Sequence, residues 1–406
     1  MNSPRRFFLG TLTAGAFQAF AQQATQRNGD DYWRFVAAQY PLDRNLIYCN
    51  AANVCPAPLP VLDRYTKLLD DFQADPSFQN REKFKPMYES ARAKLARLLG
   101  ASADEIALTR NTSEATNTIV QGLDLKPGDE IVLTDHNHPS NLDSWQMRAK
   151  RMGLVVKVAA TPDDARTPGD LLGAVEKLVT AKTRVISVTH LTSTTGLRFP
   201  VEAVVELGRR RSAWVHIDGA QTFGALDIDL HKMGCDSFSG SAHKWPMGPL
   251  EAGVLYVREA RLPEVWPAII TAGWSGDLKG ARKLDVFGQR DDARIAAFEA
   301  CADFLAMVGV KRIEERTRAL TMHLRNRLAE SGHEFRGAPE LAFSVLKMKP
   351  RVKAPQELYD LLWQHHRVAT SVTGTGRFAG VRFSPHVYNT MEQMDAIAAA
   401  VRKLDA

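Results

Sequence analysis

From residue 106 onward, short β-branched apolar runs alternate with stretches whose apolar positions recur at helical spacing. This pattern predicts strands at 106–109, 130–134, 155–158, 184–189 and 214–217, with helices at 113–122, 141–151, 168–179 and 201–210 between them. A further strand-like run covers 253–257. Strands that alternate with helices argue for an α/β fold on a mainly parallel sheet. Before this region lie a linker with a short helix (28–45), a short strand (46–49), the polar turn Asn50-Ala51-Ala52-Asn53, and helical periodicity over 56–99 with Gly100 as C-cap. After it the character changes. Helices at 291–308 and 311–331 precede strands at 342–347 and 380–384 and two more helices, which predicts a smaller α+β C-terminal domain.

Composition fits a globular chain of two domains: 406 residues, 45% hydrophobic and 24% charged. The formal net charge is +6, but the basic residues are dispersed. The run Arg209 to Arg211 ends a predicted helix, where cations suit the dipole, so no nucleic-acid partner is expected. No apolar stretch after residue 30 is long enough to span a membrane. The N-terminus has its own pattern. Arg5-Arg6-Phe7-Phe8-Leu9, a mildly apolar run, and Ala19-Phe20-Ala21 follow the order of an export signal, and the paired arginines resemble the twin-arginine type. Cleavage after Ala21 and a periplasmic mature protein, reached through the twin-arginine machinery, are the expectation. Cys49, Cys55, Cys235 and Cys301 show no metal-ligand spacing and read as buried thiols; a Cys49–Cys55 bridge is possible in an oxidising compartment but not indicated.

In a parallel α/β sheet, ligands bind beyond the carboxyl ends of the strands. The predicted strand ends carry polar loops in succession: Arg110 to Asn117, Asp135 to Asn141, Thr189 to Gly196, and Asp218 to Gln221. A helix start with Thr112 and Ser113 is an anion site in type, although a plain N-cap would look the same in isolation. Then comes Ser239-Gly240-Ser241-Ala242-His243-Lys244-Trp245-Pro246-Met247-Gly248-Pro249. A lysine is ordinarily a solvated surface group. Lys244 sits among residues too small to shield it, in a segment suited to close approach by another molecule.

The order TSEATN, DHNHPSN, THLTSTTG, HIDGAQ, SGSAHKWPMGP resembles class V of the fold-type I pyridoxal-phosphate enzymes, in particular the isopenicillin-N epimerase-like branch. The likeness covers nearly all of the chain from Tyr48. It implies a large domain with a seven-stranded-type, mainly parallel sheet, and a division into a 1–21 signal peptide, a 22–59 arm, a 60–290 cofactor domain and a 291–406 small domain. It implies pyridoxal 5'-phosphate as cofactor, with Lys244 as its Schiff-base lysine. Asp218 would keep the pyridine nitrogen protonated. Gln221, with Ser193 assisting, would face the ring's phenolic oxygen, and His138 would stack on the ring; His136 does not align. Ser113, Ser241 and His243, with the N–H groups of Thr112 and Ser113, would bind the phosphate. Arg382, in Gly380-Val381-Arg382-Phe383-Ser384, would clamp a substrate carboxylate, with Asn50 in the same pocket. A homodimer is implied as well. Where the family often has Gly-Thr reaching the partner's phosphate, this chain has Gly288-Gln289-Arg290.

The resemblance narrows the reaction less than the cofactor. Where desulfurases carry a nucleophilic cysteine this chain has Gly374, and their preceding arginine is Ala369; no cysteine follows Cys301. The expectation is an enzyme acting at the Cα of an amino-acid or peptide-like substrate, of epimerase or aminotransferase type. The alternatives are a carbon–sulfur lyase or an exported siderophore-tailoring enzyme. Two non-enzymatic readings, a cofactor-binding protein and a periplasmic solute-binding protein, have no use for Lys244.

Overall fold

The chain's structure is a computed structural model that describes residues 20, 22–24, 26–163, 165–275, 277–338, 343–374 and 379–406. The predicted signal therefore lies almost wholly outside the described residues. Phe20 is an exception: it is buried, with its ring 4.8 Å from that of Phe35 and 5.7 Å from that of Phe304. Helix Gly29–Ala37 leads to a two-residue strand, β1 (Ile47–Tyr48). Helices Leu59–Ala74 and Phe84–Leu98 then pack against the later helix Asp292–Val308.

The central domain follows as β2 (Ile106–Thr109), β3 (Glu130–Thr134), β4 (Val155–Ala159), β5 (Thr183–Thr189), β6 (Trp214–Asp218), β7 (Ser237–Ser241) and β8 (Gly253–Val257). They form one seven-stranded sheet in the order β2-β8-β7-β6-β5-β3-β4. Strand β8 is antiparallel to both of its neighbours, and the rest share one direction. The carboxyl ends of β2, β3, β5, β6 and β7 thus reach one edge. The expected α/β class and mainly parallel sheet hold, and the intervening helices lie at Thr112–Gly122, Pro139–Met152, Pro168–Glu176 and Val201–Arg210.

Strand β7 has no apolar alternation, and the hydrophobic pattern misses it. All five of its residues are buried. Its hydroxyls serve buried polar groups: Ser237 accepts from the Trp214 indole at 2.8 Å, and Ser239 lies 3.1 Å from Thr116 Oγ1. On the other side Phe238 fills the space over Gly219, where a Cβ would lie 1.9 Å from its ring. Both faces are occupied, so the usual period-2 signal is absent.

The last third builds β9 (Glu334–Arg336), β10 (Leu346–Lys349), β11 (Val368–Ala369), β12 (Ser371–Thr373) and β13 (Gly380–Phe383). Strands β12-β13-β10-β9 form an antiparallel sheet covered by helices Val310–Ala329, Pro355–His366 and Met391–Leu404. The strand expected at 342–347 is shifted to Leu346–Lys349, and Ala342 lies outside the described residues. Residues 343–345 serve the domain junction instead: Phe343 N–H donates to Gly196 O at 3.0 Å, and a Cβ on Gly196 would meet Val345 O at 2.1 Å.

The N-terminal arm joins this small domain. Strand β1 pairs in parallel with β11, and Asn50 bridges to Ser384. All four cysteines are buried and free, so Cys49 and Cys55 are not bridged.

Candidate active site

The turn after β7 fixes Lys244. Ala242 N–H donates to Ala252 O, Gly248 N–H donates to Ala242 O, and Met247 closes the turn onto Lys244 O at 2.9 Å with φ at 60°. Cys55 N–H of the N-terminal arm donates to His243 O at 2.7 Å. Trp245 is buried, and its indole donates to Gln221 Oε1 at 2.6 Å. Lys244 itself is half-buried, at the strand ends. Burial lowers its pKa to about 8; Asp218 opposes the shift and Arg382 adds to it.

Asp218 ends β6, 2% exposed, and its Oδ1 accepts from Ala220 N–H at 3.0 Å. Beneath it, His216 Nδ1 is 2.8 Å from Ser237 Oγ, and its Nε2 is 3.3 Å from both Thr116 Oγ1 and Ser239 Oγ. Burial holds His216 neutral, with its pKa at about 3. The Asp218 carboxylate therefore rests on an uncharged hydrogen-bonded layer. Gln221 is buried, with Nε2 donating to Ala52 O at 2.8 Å, which ties the arm to the large domain.

The helix start beside this turn has one N–H left over. Asn111 Oδ1 caps Glu114 N–H at 2.9 Å, and Ser241 Oγ accepts from Thr112 N–H at 2.8 Å. Thr112 Oγ1 is also 2.8 Å from Ser241 Oγ. Ser113 N–H has no partner among the described residues, and its side chain is exposed. Gly253 lets β8 pass the cap, since a Cβ there would sit 2.9 Å from Asn111 Cα. The half-buried His243 has its pKa lowered to about 4, first by burial and then by Lys244.

His138 N-caps the helix Pro139–Met152, with Nδ1 accepting from Ser140 N–H at 3.2 Å. It also lies in the field of the site: burial and Lys244 lower its pKa, and Asp218 raises it. His136 is buried lower down, 2.9 Å from Thr195 Oγ1 and 3.0 Å from Asp135.

The small domain supplies Arg382, 6% exposed, from β13. Its NH2 donates to Asn50 Oδ1 at 3.2 Å and its NH1 to Ser193 O at 3.3 Å, while its Nε is buried without a partner. Burial lowers its pKa to about 10. The expected residues of both domains thus meet at one edge. Gln289 does not come to this edge: its Oε1 accepts from Arg81 at 2.9 Å on the surface. Sequence reasoning missed the supports, namely Thr116, His216 and Ser239 under Asp218, and Trp245 behind Gln221. All four lie inside the motifs TSEATN, HIDGAQ and SGSAHKWPMGP, which is the signal that could have found them.

The open Ser113 N–H, the half-buried lysine and buried carboxylate at adjacent strand ends, and the unpaired Arg382 donor fit a phosphorylated, ring-nitrogen cofactor and a carboxylate-bearing ligand. The fold and site define a pyridoxal-phosphate enzyme of fold type I. Residues 47–397 match the class V aminotransferase family, and the chain belongs to it. It is 29% identical to isopenicillin N epimerase from Streptomyces clavuligerus over 92% of this chain and 98% of that one. It is 26% identical to a probable cysteine desulfurase from Methanothermobacter thermautotrophicus, over 91% and 97%. Among solved structures, an apo cysteine desulfurase from Thermococcus onnurineus superposes with a TM-score of 0.83, covering 93% of this chain and 98% of that one at 24% identity. A cystine C–S lyase in complex with cysteine persulfide also has a TM-score of 0.83, over 91% and 100%, at 21% identity.

Replacing Ser241 with Ala strands the buried Thr112 N–H, at about 1–3 kcal/mol of stability. Binding of pyridoxal 5'-phosphate should weaken by about tenfold, roughly 1.4 kcal/mol, while unphosphorylated pyridoxal binds as before. Fluorescence titration of the cofactor-free protein measures both.

Proposed function

We propose that this enzyme moves a proton at the Cα of an amino-acid or peptide-like substrate, in the manner of an epimerase or aminotransferase, with Lys244 as the base. When bound, the cofactor supplies an electron-withdrawing ring that acidifies Cα–H. The observation that carries the reading is Lys244 at the strand ends, in the field of both Asp218 and Arg382, with its pKa lowered to about 8, first by burial. Near neutral pH an appreciable fraction of its amine is free to take a proton. Arg382 holds the substrate carboxylate, with Asn50 fixing the guanidinium. Ser113, Ser241 and His243 would hold the phosphate, the Thr112 N–H being given to Ser241 Oγ; Asp218 would hold the ring nitrogen, Gln221 and Ser193 the phenolic oxygen, and His138 the ring face.

Carbon–sulfur lysis is the second reading, since it begins with the same proton removal. Lysis through a protein persulfide is not supported. All four cysteines are buried, and burial pushes the thiols of Cys49 and Cys55 up to about 12 and those of Cys235 and Cys301 higher still.

Export and dimerisation belong to the same proposal. Leu250, Trp266 and Ile270 are exposed apolar side chains of the kind that self-association would cover. Cleavage after Ala21 would remove Phe20 from its contact with Phe35 and Phe304. Mass analysis of exported protein should therefore give a chain beginning at Gln22, and sedimentation should give twice the monomer mass. A periplasmic chain that still carries Met1 sinks the cleavage assignment.

Purified holoenzyme should show a long-wavelength absorbance band that borohydride removes, and should exchange Cα hydrogen of its amino-acid substrate for deuterium. Lys244→Ala should lose the reducible band and slow exchange by about 10²–10⁴-fold. Exchange at the wild-type rate in Lys244→Ala would refute the assignment. Racemised product marks an epimerase and keto acid with retained β-substituent an aminotransferase; released sulfide or persulfide marks the lyase.

A further inference from the structure

Strands β12, β13, β10 and β9 place four side chains in one cross-strand row: Ser371 opposite Arg382, Arg382 opposite Lys347, and Lys347 opposite Arg336. Directly opposed residues of antiparallel strands lie on the same face, and like charges there are destabilising. Three adjacent cations therefore need an explanation. Lys347 is fully buried, Arg382 is 6% exposed, and Arg336 is half-buried. Among the described residues no carboxylate forms an ion pair with any of the three.

The row also has unused hydrogen-bonding capacity. Arg382 Nε, Arg336 Nε and Ser371 Oγ are all buried without partners. Lys347 Nζ donates to the carbonyl and hydroxyl of Thr373. Its stem passes close to Gly380, two residues before Arg382 on β13: a Cβ there would be 3.0 Å from Lys347 Cε. Next to the Ser371 end of the row, Arg382 meets Asn50 and Ser193. At the other, Arg336 lines a cavity of about 70 Å³ together with His136, Thr161 and Thr195, with Asp163 also on its wall. The loop from Thr189 to Gly196 thus spans both ends. Neighbouring strands are about 4.8 Å apart, so Arg336 stands roughly 10 Å along the sheet from Arg382.

We propose that Lys347 and Arg336 extend the Arg382 site into a second anion subsite, which selects amino-acid substrates whose side chain ends in a carboxylate. The α-carboxylate engages Arg382, and the distal one lies toward Lys347 and Arg336, where it neutralises the row and takes up the unpaired donors. This rests on the assignment of Arg382 as the α-carboxylate clamp.

The test is a spectroscopic titration of the holoenzyme with three pairs: aspartate and asparagine, glutamate and glutamine, 2-aminoadipate and its ω-amide. At least one acid should bind about tenfold or more tighter than its amide, the scale on which a site built for a polar group rejects an analogue. Arg336→Gln and Lys347→Gln should each bring that ratio close to one, leaving the amide's affinity and the cofactor absorbance unchanged. Glutarate, which has no amine, should raise the thermal midpoint of the cofactor-free wild type but not of Arg336→Gln. Amides that titrate as well as their acids, with a midpoint unmoved by glutarate, overturn the subsite and leave the amino-acid reading intact. No spectral response to any amino acid overturns both.

Discussion

Burying cations without matching anions costs free energy, and the junction of the two domains does so at three side chains. Burial lowers Lys244 to about 8, Lys347 to about 7 and Arg382 to about 10. Mutual repulsion adds to it: Arg382 depresses both lysines. Among the described residues, Asp218 is the one carboxylate that favours the charged form of Lys244. A site with this imbalance is stabilised by anionic ligands. Phosphate and carboxylate are the anions that a pyridoxal-phosphate enzyme brings to it.

The N-terminal arm makes the imbalance possible by locking the two domains together around it. Ile47 and Tyr48 pair with β11 on one side, and Ala51 N–H donates to Ser384 O. On the other side Cys55 N–H holds His243 O, and Ala52 O takes the Gln221 amide. Asn50, between these anchors, faces Arg382. The short turn written as Asn-Ala-Ala-Asn is thus the hinge pin of the site. Its two alanines are buried where larger side chains would push the domains apart.

Much of this was legible in the sequence. Apolar, β-branched runs marked β2, β3, β5 and β6, which are buried at nearly every position, and helical periodicity marked the four intervening helices. Motif order marked Lys244, Asp218 and the loops around them, because every one of those loops falls at a strand's carboxyl end. Two features were hidden. Strand β7 is made of serines and glycine whose burial is justified by hydrogen bonds, and hydrophobic patterning does not see these. Lys347 reads as a surface lysine in Leu346–Lys349; only the register with Arg382 and Arg336 shows that it is buried in a row of like charges.

The pH dependence of Lys244 acylation in the cofactor-free protein, read by mass spectrometry of its peptide, tests the central claim most directly. The half-maximal rate should fall near pH 8, and Arg382→Gln, which removes a repelling cation, should move it upward. A midpoint near the ordinary lysine value of 10.5, unmoved by that substitution, would contradict the account.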